Sequence, residues 1–499
     1  MWLLAAQTSG ALFVARSLRG RANSKRGGAP TAPTDPDVVT ATGGGRLVTP
    51  VLLLASLGVA MAQTIVVSAL PVFARELGVP AADATWLLTV FMLAAGIATP
   101  IAGRLGDGYG YRVVLTACLA CLVVGSVVAG IADRCDWFAG VVAGRVLQGF
   151  SGGAFPAAFG LARLAVPPGR LSGVVAALSS MFGVGGALGM VVAGPLADAF
   201  GTSSLFWLTS VIAVLALVGT VAQPRDHAKR PAAETLDLGG AILLSGALVA
   251  LLLAISQGRS WGWASVPTLG LLMAAGVFGI CFVSAELAST EPLLDLRLIG
   301  SRALAATNIA TVVISVGMFA AVTLIPQFVQ TPPRAGYGFG ATAGETGLFM
   351  VPMAACMLIS APLTARISAR TSGRTTFLLG ALLACAALAA LGVFHQQPWH
   401  FYTAGAVLGT AYGFAFASLG NLVVGAVRAD RTGVATGINT VLRTIGGAVG
   451  AQLAVVVVAA SAGRTGLPAA SGYTAAFAAS AAIVALAALA TAAIPSGQR

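Results

Sequence analysis

The chain is 499 residues long, 57% hydrophobic and 9% charged, with a formal net charge of +12 and a mean hydropathy of +0.91. A soluble protein of this size needs far more charge to cover its surface, so lipid must face much of this one. The basic excess is dispersed over short segments between apolar runs, which excludes the continuous basic face of a nucleic-acid binder.

Residues 1–47 stand apart. Positions 1–15 are apolar but too few to span a bilayer. Positions 16–26 are basic, no acid precedes Asp35, and 30–36 and 43–45 have linker composition. The segment reads as a disordered basic cytoplasmic tail, with a targeting presequence as the alternative. Fourteen stretches of spanning length follow: 48–74, 84–103, 113–132, 137–161, 171–195, 204–222, 238–257, 265–287, 304–329, 344–365, 375–394, 400–423, 435–460 and 473–494. This predicts an all-α integral membrane protein. A six-helix bundle fits 48–222 and another fits 304–494. Residues 223–303 form a linker with two additional spans, and 495–499 a cytoplasmic tail.

Charge orients the list. Of 28 basic residues, 21 fall on the side of the N-terminus. Five (Arg75, Arg134, Arg259, Arg334, Arg464) fall on the other side, and Arg145 and Arg443 lie inside spans. Such a bias predicts a multi-pass protein of the cytoplasmic (inner) membrane with both termini in the cytoplasm.

Between the second and third spans runs Gly103-Arg104-Leu105-Gly106-Asp107-Gly108-Tyr109-Gly110-Tyr111-Arg112, a glycine-rich charged turn that predicts a tight hairpin tip. A degraded echo at 362–374, with Arg366, Arg370 and Arg374, occupies a similar tip later in the chain. That pairing points to internal repeats. In the fourth span, Arg145-Val146-Leu147-Gln148-Gly149 places Arg145 and Gln148 on one helix face. An arginine at membrane depth costs at least about 2.5–3.5 kcal/mol, so a functional role is the default; snorkelling to an interface is the alternative. Asn439 and Arg443 share a face in the same way, with the same two readings. Gly183, Gly185, Gly186, Gly189, Gly194 and Pro195 stud the fifth span and predict close helix packing.

Other chemistry is sparse. Cys118-x-x-Cys121 lies inside an apolar span, where cysteine is a small packing residue. His227, His395 and His400 have no metal-ligand spacing and fall in loops or at span ends, so no metal site is predicted. No phosphate-binding G-x-x-x-x-G-K-[ST] loop occurs, so neither ATP hydrolysis nor any cofactor is expected. The acids Asp198, Asp237, Glu286 and Glu345 lie near span ends.

The run 103–112 meets every fixed position of G-x-L-x-D-x-x-G-x-R. It resembles the loop between spans two and three of the major facilitator superfamily, and the chain as a whole is most similar to that superfamily's fourteen-span drug:proton antiporters. Residues 145–149 resemble the R-x-x-Q-G motif associated with proton transfer in drug exporters, and 433–448 are similar to a late span of the same family. The fifth span resembles the antiporter motif but departs from it. In one register Met190 replaces the proline; in the other, Asp198-Ala199 follows Gly194-Pro195 where two glycines are expected. Residues 63–71 resemble the first span, with Ala62 where the family carries aspartate. The resemblance implies a proton-driven exporter of small amphipathic drugs or antibiotics, working as a monomer. Gly103, Arg104, Leu105, Gly106, Asp107, Gly110 and Arg112 would form a cytoplasmic gate. Arg145, Gln148, Gly149, Asn439 and Arg443 would couple proton and substrate. Gly185, Gly189, Gly194 and Pro195 would pack helices, and Gln63 and Ser68 would line the first span. With Ala62 apolar, proton binding would fall to an acid near a span end, such as Asp107, Asp198 or Glu345. A proton-coupled metabolite symporter shares the fold, and a transport-inactive sensor or scaffold is the reading from another class.

Overall fold

The computed structural model describes residues 45–223, 237–289, 302–428, 431–461 and 468–490. The expected tails (apart from 45–47, which begin the first helix) and most of the 223–236 connection lie outside the described residues. Among the described residues all regular structure is helical. The α-helices longer than one turn are α1 (Gly45–Glu76), α2 (Trp86–Leu105), α3 (Tyr111–Arg134), α4 (Phe138–Gly149), α5 (Ala154–Ala165), α6 (Pro168–Phe200), α7 (Ser203–Val221), α8 (Leu238–Trp261), α9 (Val266–Ala288), α10 (Arg302–Gln330), α11 (Ala343–Arg370), α12 (Gly373–Val393), α13 (Pro398–Ala426), α14 (Thr432–Ala460) and α15 (Ala470–Ala490).

Local chemistry sets the breaks. The Asp237 carboxylate accepts the Gly240 amide at 2.8 Å to open α8. Thr342 and Glu345 cap each other's backbone amides at the start of α11, a capping box. Gly201 ends α6 at φ +77° and Gly262 ends α8 at φ +91°, conformations that cost glycine nothing.

Eleven described stretches are long and apolar enough to cross a membrane, or twelve with the bent pair Gly344–Ser360 and Pro362–Ser368 counted as one, against fourteen expected. One of the eleven, Trp86–Arg134, joins α2 and α3 through a π turn at Gly106–Gly110. Its two halves run in opposite directions. From Gly149 to Gly153 the close neighbours on α2 advance from Phe91 and Ala94 to Ala98 and Ala102. From Gly140 to Gly160 those on α3 fall from Ala132, through Ala129 and Cys118, to Tyr111. The stretch is therefore a hairpin, as its glycines predict. α4 and α5 form one path through a 3₁₀ turn at Phe150–Gly153, where Gly152 and Gly153 let α2 approach.

Two apolar clusters, around Leu52, Phe155 and Phe182 and around Phe73 and Phe206, hold α1–α7 together. A larger one, around Phe328, Met353, Phe377, Phe401 and Tyr412, holds α10–α15. α6 joins the two groups: Met357 of α11 packs at Gly183, Val191 at Gly347, and Pro195 at Gly344. α8 docks on α2 through Ser256 and Thr89, 2.8 Å apart. α9 leaves Val266, Leu269, Met273, Val277, Ile280 and Leu287 exposed, the apolar face a helix turns to lipid.

Candidate functional site

The hairpin tip between α2 and α3 reaches across to the second group of helices. Asp107 Oδ1 accepts the Gly433 amide and Oδ2 the Val434 amide, each at 3.0 Å. Both amides belong to the first turn of α14, whose exposed N–H groups and dipole favour an anion. Asp107 thus caps α14 rather than its own helix. Tyr111 donates its hydroxyl to Asp107 and receives the Gly433 amide at 3.3 Å. The glycines of the motif have distinct reasons. A Cβ at Gly103 would lie 2.6 Å from the Gly433 carbonyl oxygen, and one at Gly106 would lie 2.6 Å from the Tyr111 ring. Gly110 turns the chain at φ +114°. Leu105 is half-buried, and Arg104 closes α2. Arg112 does not face the gate. It donates to the Thr220 and Val221 carbonyls at 3.1 and 2.6 Å, closing the C-terminus of α7.

Arg163 adds a second cross-link at this end. From the last turn of α5 it donates to the Val424 carbonyl and, at 3.1 Å, to Thr432 Oγ1. Gly420 of α13 packs on Ser179 of α6. The hairpin end of the molecule is closed by contacts between α2, α5 and α6 on one side and α13 and α14 on the other.

Arg145 is 0% exposed, which removes the snorkelling alternative. Its Nε donates to the Leu87 carbonyl at 2.8 Å, and its Nη1 to the Ala62 carbonyl at 2.8 Å and Gln148 Oε1 at 2.7 Å. Gln148 donates in turn to Ser126 Oγ at 2.7 Å, and the guanidinium lies 4.4 Å from the Phe91 ring centre. Four helices, α1–α4, meet at this charge. Gly149 lets α2 in, since a Cβ there would sit 2.6 Å from the Phe91 carbonyl oxygen.

Arg443 is equally far from snorkelling, 3% exposed. Its guanidinium carbon lies 4.0 Å from the ring centre of Phe182, 5.5 Å from Phe416 and 5.7 Å from Phe155. Asn439, one turn earlier, does other work. Its side-chain amide donates to Asn308 Oδ1 at 3.1 Å and Thr311 Oγ1 at 2.8 Å, binding α14 to α10. The shared face therefore does not make one site of Asn439 and Arg443.

In α6 the glycine stripe packs on α1. A Cβ at Gly185 would meet the Leu57 carbonyl at 2.8 Å, and one at Gly189 would meet Thr64 Oγ1 at 2.5 Å. Thr64 donates to the Gly186 carbonyl at 2.7 Å. Gly194 is buried and Pro195 sits inside the helix. Gln63 is half-buried on α1, and the side chain of Ser68 lies outside the described residues.

The family model of the Major Facilitator Superfamily matches residues 52–451 and, in a second match, 307–497. The chain belongs to this superfamily. It is similar to the tetracenomycin C resistance and export protein of Streptomyces glaucescens, 28% identical over 420 residues, which cover 83% of this chain and 76% of the relative. It is also similar to the multidrug transporter protein MdtP of Bacillus subtilis, 25% identical over 419 residues covering 83% and 75%. Among solved structures the human organic anion transporter MFSD10 (TETRAN) has the same fold, with a TM-score of 0.62, 17% identity and coverage of 90% of this chain and 99% of that one. This major facilitator is thus a multi-pass membrane transporter, not an enzyme, and its named relatives bear out the resemblance to drug-resistance exporters.

Several residues of this transporter escaped the sequence. Thr202 places one hydroxyl between two carboxylates, Glu76 and Asp133 Oδ2, the latter at 2.8 Å. Asp133 is 7% exposed, and its Oδ1 has no hydrogen-bond partner among the described residues. By contrast Asp198 is exposed, and Glu345 is spent on its capping box. His395 is buried although it lies at a span end. It bonds the Leu391 carbonyl at 2.9 Å and stands edge-on to Phe328. Charge on Arg163 and acidity on Glu76 and Asp133 are visible in the sequence; that they meet partners more than 60 positions away is not.

Proposed function

We propose that this transporter is a proton-driven exporter of amphipathic drugs or antibiotics, working as a monomer in the cytoplasmic membrane. In this reading fourteen spans form two six-helix bundles, 48–222 and 304–494, joined by the two-span linker 223–303. Both termini and the 103–112 hairpin lie in the cytoplasm. The observation that carries it is Asp107 capping α14 from the opposite bundle. That bond closes the cytoplasmic side in this state and must break for substrate to enter from the cytoplasm. The α6–α11 contact persists beside it as the surface about which the bundles rock. The names of the tetracenomycin and multidrug relatives support drugs as cargo.

Proton binding falls to Asp133. It shares the one Thr202 hydroxyl proton with Glu76 and keeps a buried Oδ1 without a partner among the described residues; a proton there turns that oxygen into a donor. Everted vesicles test the whole reading. An imposed pH gradient, acid inside, is expected to drive dye uptake that a protonophore abolishes. Accumulation in whole cells with the gradient acid outside is the signature of a metabolite symporter instead. Asp133→Asn is expected to retain substrate binding but lose the response to the gradient; an unchanged response removes Asp133 from the coupling role.

A further inference from the structure

The two buried arginines are engaged differently. Arg145 spends three hydrogen bonds on fixed acceptors, two carbonyls and a glutamine, and leaves one nitrogen, Nη2, without a partner among the described residues. Arg443 makes no hydrogen bond or ion pair among the described residues, and its Nε is buried without an acceptor. What surrounds it is aromatic: Phe182 of α6, Phe155 of α5 and Phe416 of α13. A fourth ring, Phe319 of α10, stands edge-on to Phe182 with centres 6.3 Å apart. Ring faces attract a cation but cannot replace the acceptors that planar N–H groups demand.

Depth and position add to this. At 1.5 Å per residue, Arg443 and the three rings of the cage lie roughly 15–21 Å from the hairpin ends of their helices, near the middle of a bilayer. The cage takes rings from both helix groups, so it changes shape whenever the groups move against each other. A buried guanidinium with donors in hand, walled by flat apolar faces, fits a flat ligand that carries negative charge on its edge.

We propose that Arg443 is the anion anchor of the substrate site, and that Phe155, Phe182 and Phe416 hold the ring system of planar aromatic carboxylates or phenolates. This rests on the reading that α1–α7 and α10–α15 enclose the substrate. In a transport cycle the ligand enters while α14 is parted from α5 and α6 at the hairpin end, and its carboxylate pairs with the guanidinium as the cage closes around it.

The test uses the full chain in lipid nanodiscs and two fluorescent probes of one shape, anthracene-2-carboxylate and anthracene-2-carboxamide, with empty nanodiscs subtracted. Fluorescence polarisation is expected to show the carboxylate binding at least about tenfold more tightly than the amide. Arg443→Gln should bring the carboxylate down to the amide's affinity and leave the amide where it was. Arg443→Lys, which keeps the charge and guards against a folding artefact, should retain part of the preference. Equal affinities in the wild type, a preference that survives Arg443→Gln, or no binding of either probe by monodisperse wild-type protein each overturn the proposal. Gradient-driven uptake of the two anthracene probes in everted vesicles of the same protein separates the two ideas. Gradient-driven transport without carboxylate preference sinks the anchor and spares the exporter. Carboxylate preference without any gradient-driven transport does the reverse.

Discussion

At the scale of the residue, charge in a membrane is decided by its acceptors. Arg145 is stable at 0% exposure because α1 and α2 each offer a backbone carbonyl to it and Gln148 offers a third acceptor. Removing it leaves the buried Gln148 Oε1 without its donor, at about 1–3 kcal/mol, and takes the charge-assisted bonds away from two helix carbonyls. Arg145→Ala is therefore expected to leave the protein in the membrane while export falls by at least about tenfold. Arg145→Lys is expected to restore only part, since one ammonium cannot serve acceptors on two helices in the geometry of a guanidinium. Drug resistance at normal expression in both variants would show that the network is dispensable. The sequence displayed this arginine plainly, because an arginine in an apolar run is conspicuous. It did not display the acceptors, since carbonyls belong to every residue and only the fold selects Ala62 and Leu87.

At the scale of the element, the glycines of the 103–112 loop separate what pattern reveals from what it hides. The spacing foretells a hairpin, and Gly110 at φ +114° supplies the turn. Gly103 looks the same in sequence but does something else: it lets the α2 backbone touch Gly433, 330 positions away, with no room for a side chain. Gly103→Val is expected to hold the two helices apart and break the Asp107 bonds to α14 without disturbing the hairpin itself. Two readouts should move together. Export should be lost, and a reporter cysteine introduced as Thr432→Cys should react faster with a maleimide from the hairpin side. Wild-type reactivity would mean that the groups close by another contact. The broken fourth span belongs to the same lesson. A run of apolar residues predicts one helix, and the 3₁₀ turn at Phe150–Gly153 follows from the need to admit α2 at Gly152 and Gly153, a requirement set by a neighbour.

At the scale of the whole molecule, the legible part was the alternation of apolar stretches and the lopsided distribution of arginine. Each depends on composition and order alone. Pairings between the helix groups were not legible, because they join positions hundreds of residues apart and half of each pairing is a backbone amide or carbonyl that every residue carries. Orientation is open to direct test. In a cysteine-free background, Arg334→Cys is expected to react with a membrane-impermeant maleimide added outside intact cells, and Lys229→Cys to react only after permeabilisation. The reverse pattern would overturn both the span list and the cytoplasmic position of the gate.

The last consequence concerns motion. If the hairpin end must open for substrate to enter, the contacts that close it cannot be permanent. Arg163 of α5 reaches Thr432 of α14 at 3.1 Å and the Val424 carbonyl beside it, and Asp107 binds the next two residues. These bonds are charge-assisted but few, strong enough to define a closed state and weak enough to be exchanged for water during a cycle. A covalent bond at the same place removes the exchange. The pair Arg163→Cys and Thr432→Cys, in a cysteine-free background, is expected to accept a short bifunctional thiol cross-linker and to stop export. Treatment with a reducing agent that cleaves the linker should return transport to the level of the untreated double variant. Each single variant treated in the same way controls for modification alone. Full export by a cross-linked population would mean that substrate passes without parting α5 from α14, and the alternating closure of this end would have to be abandoned.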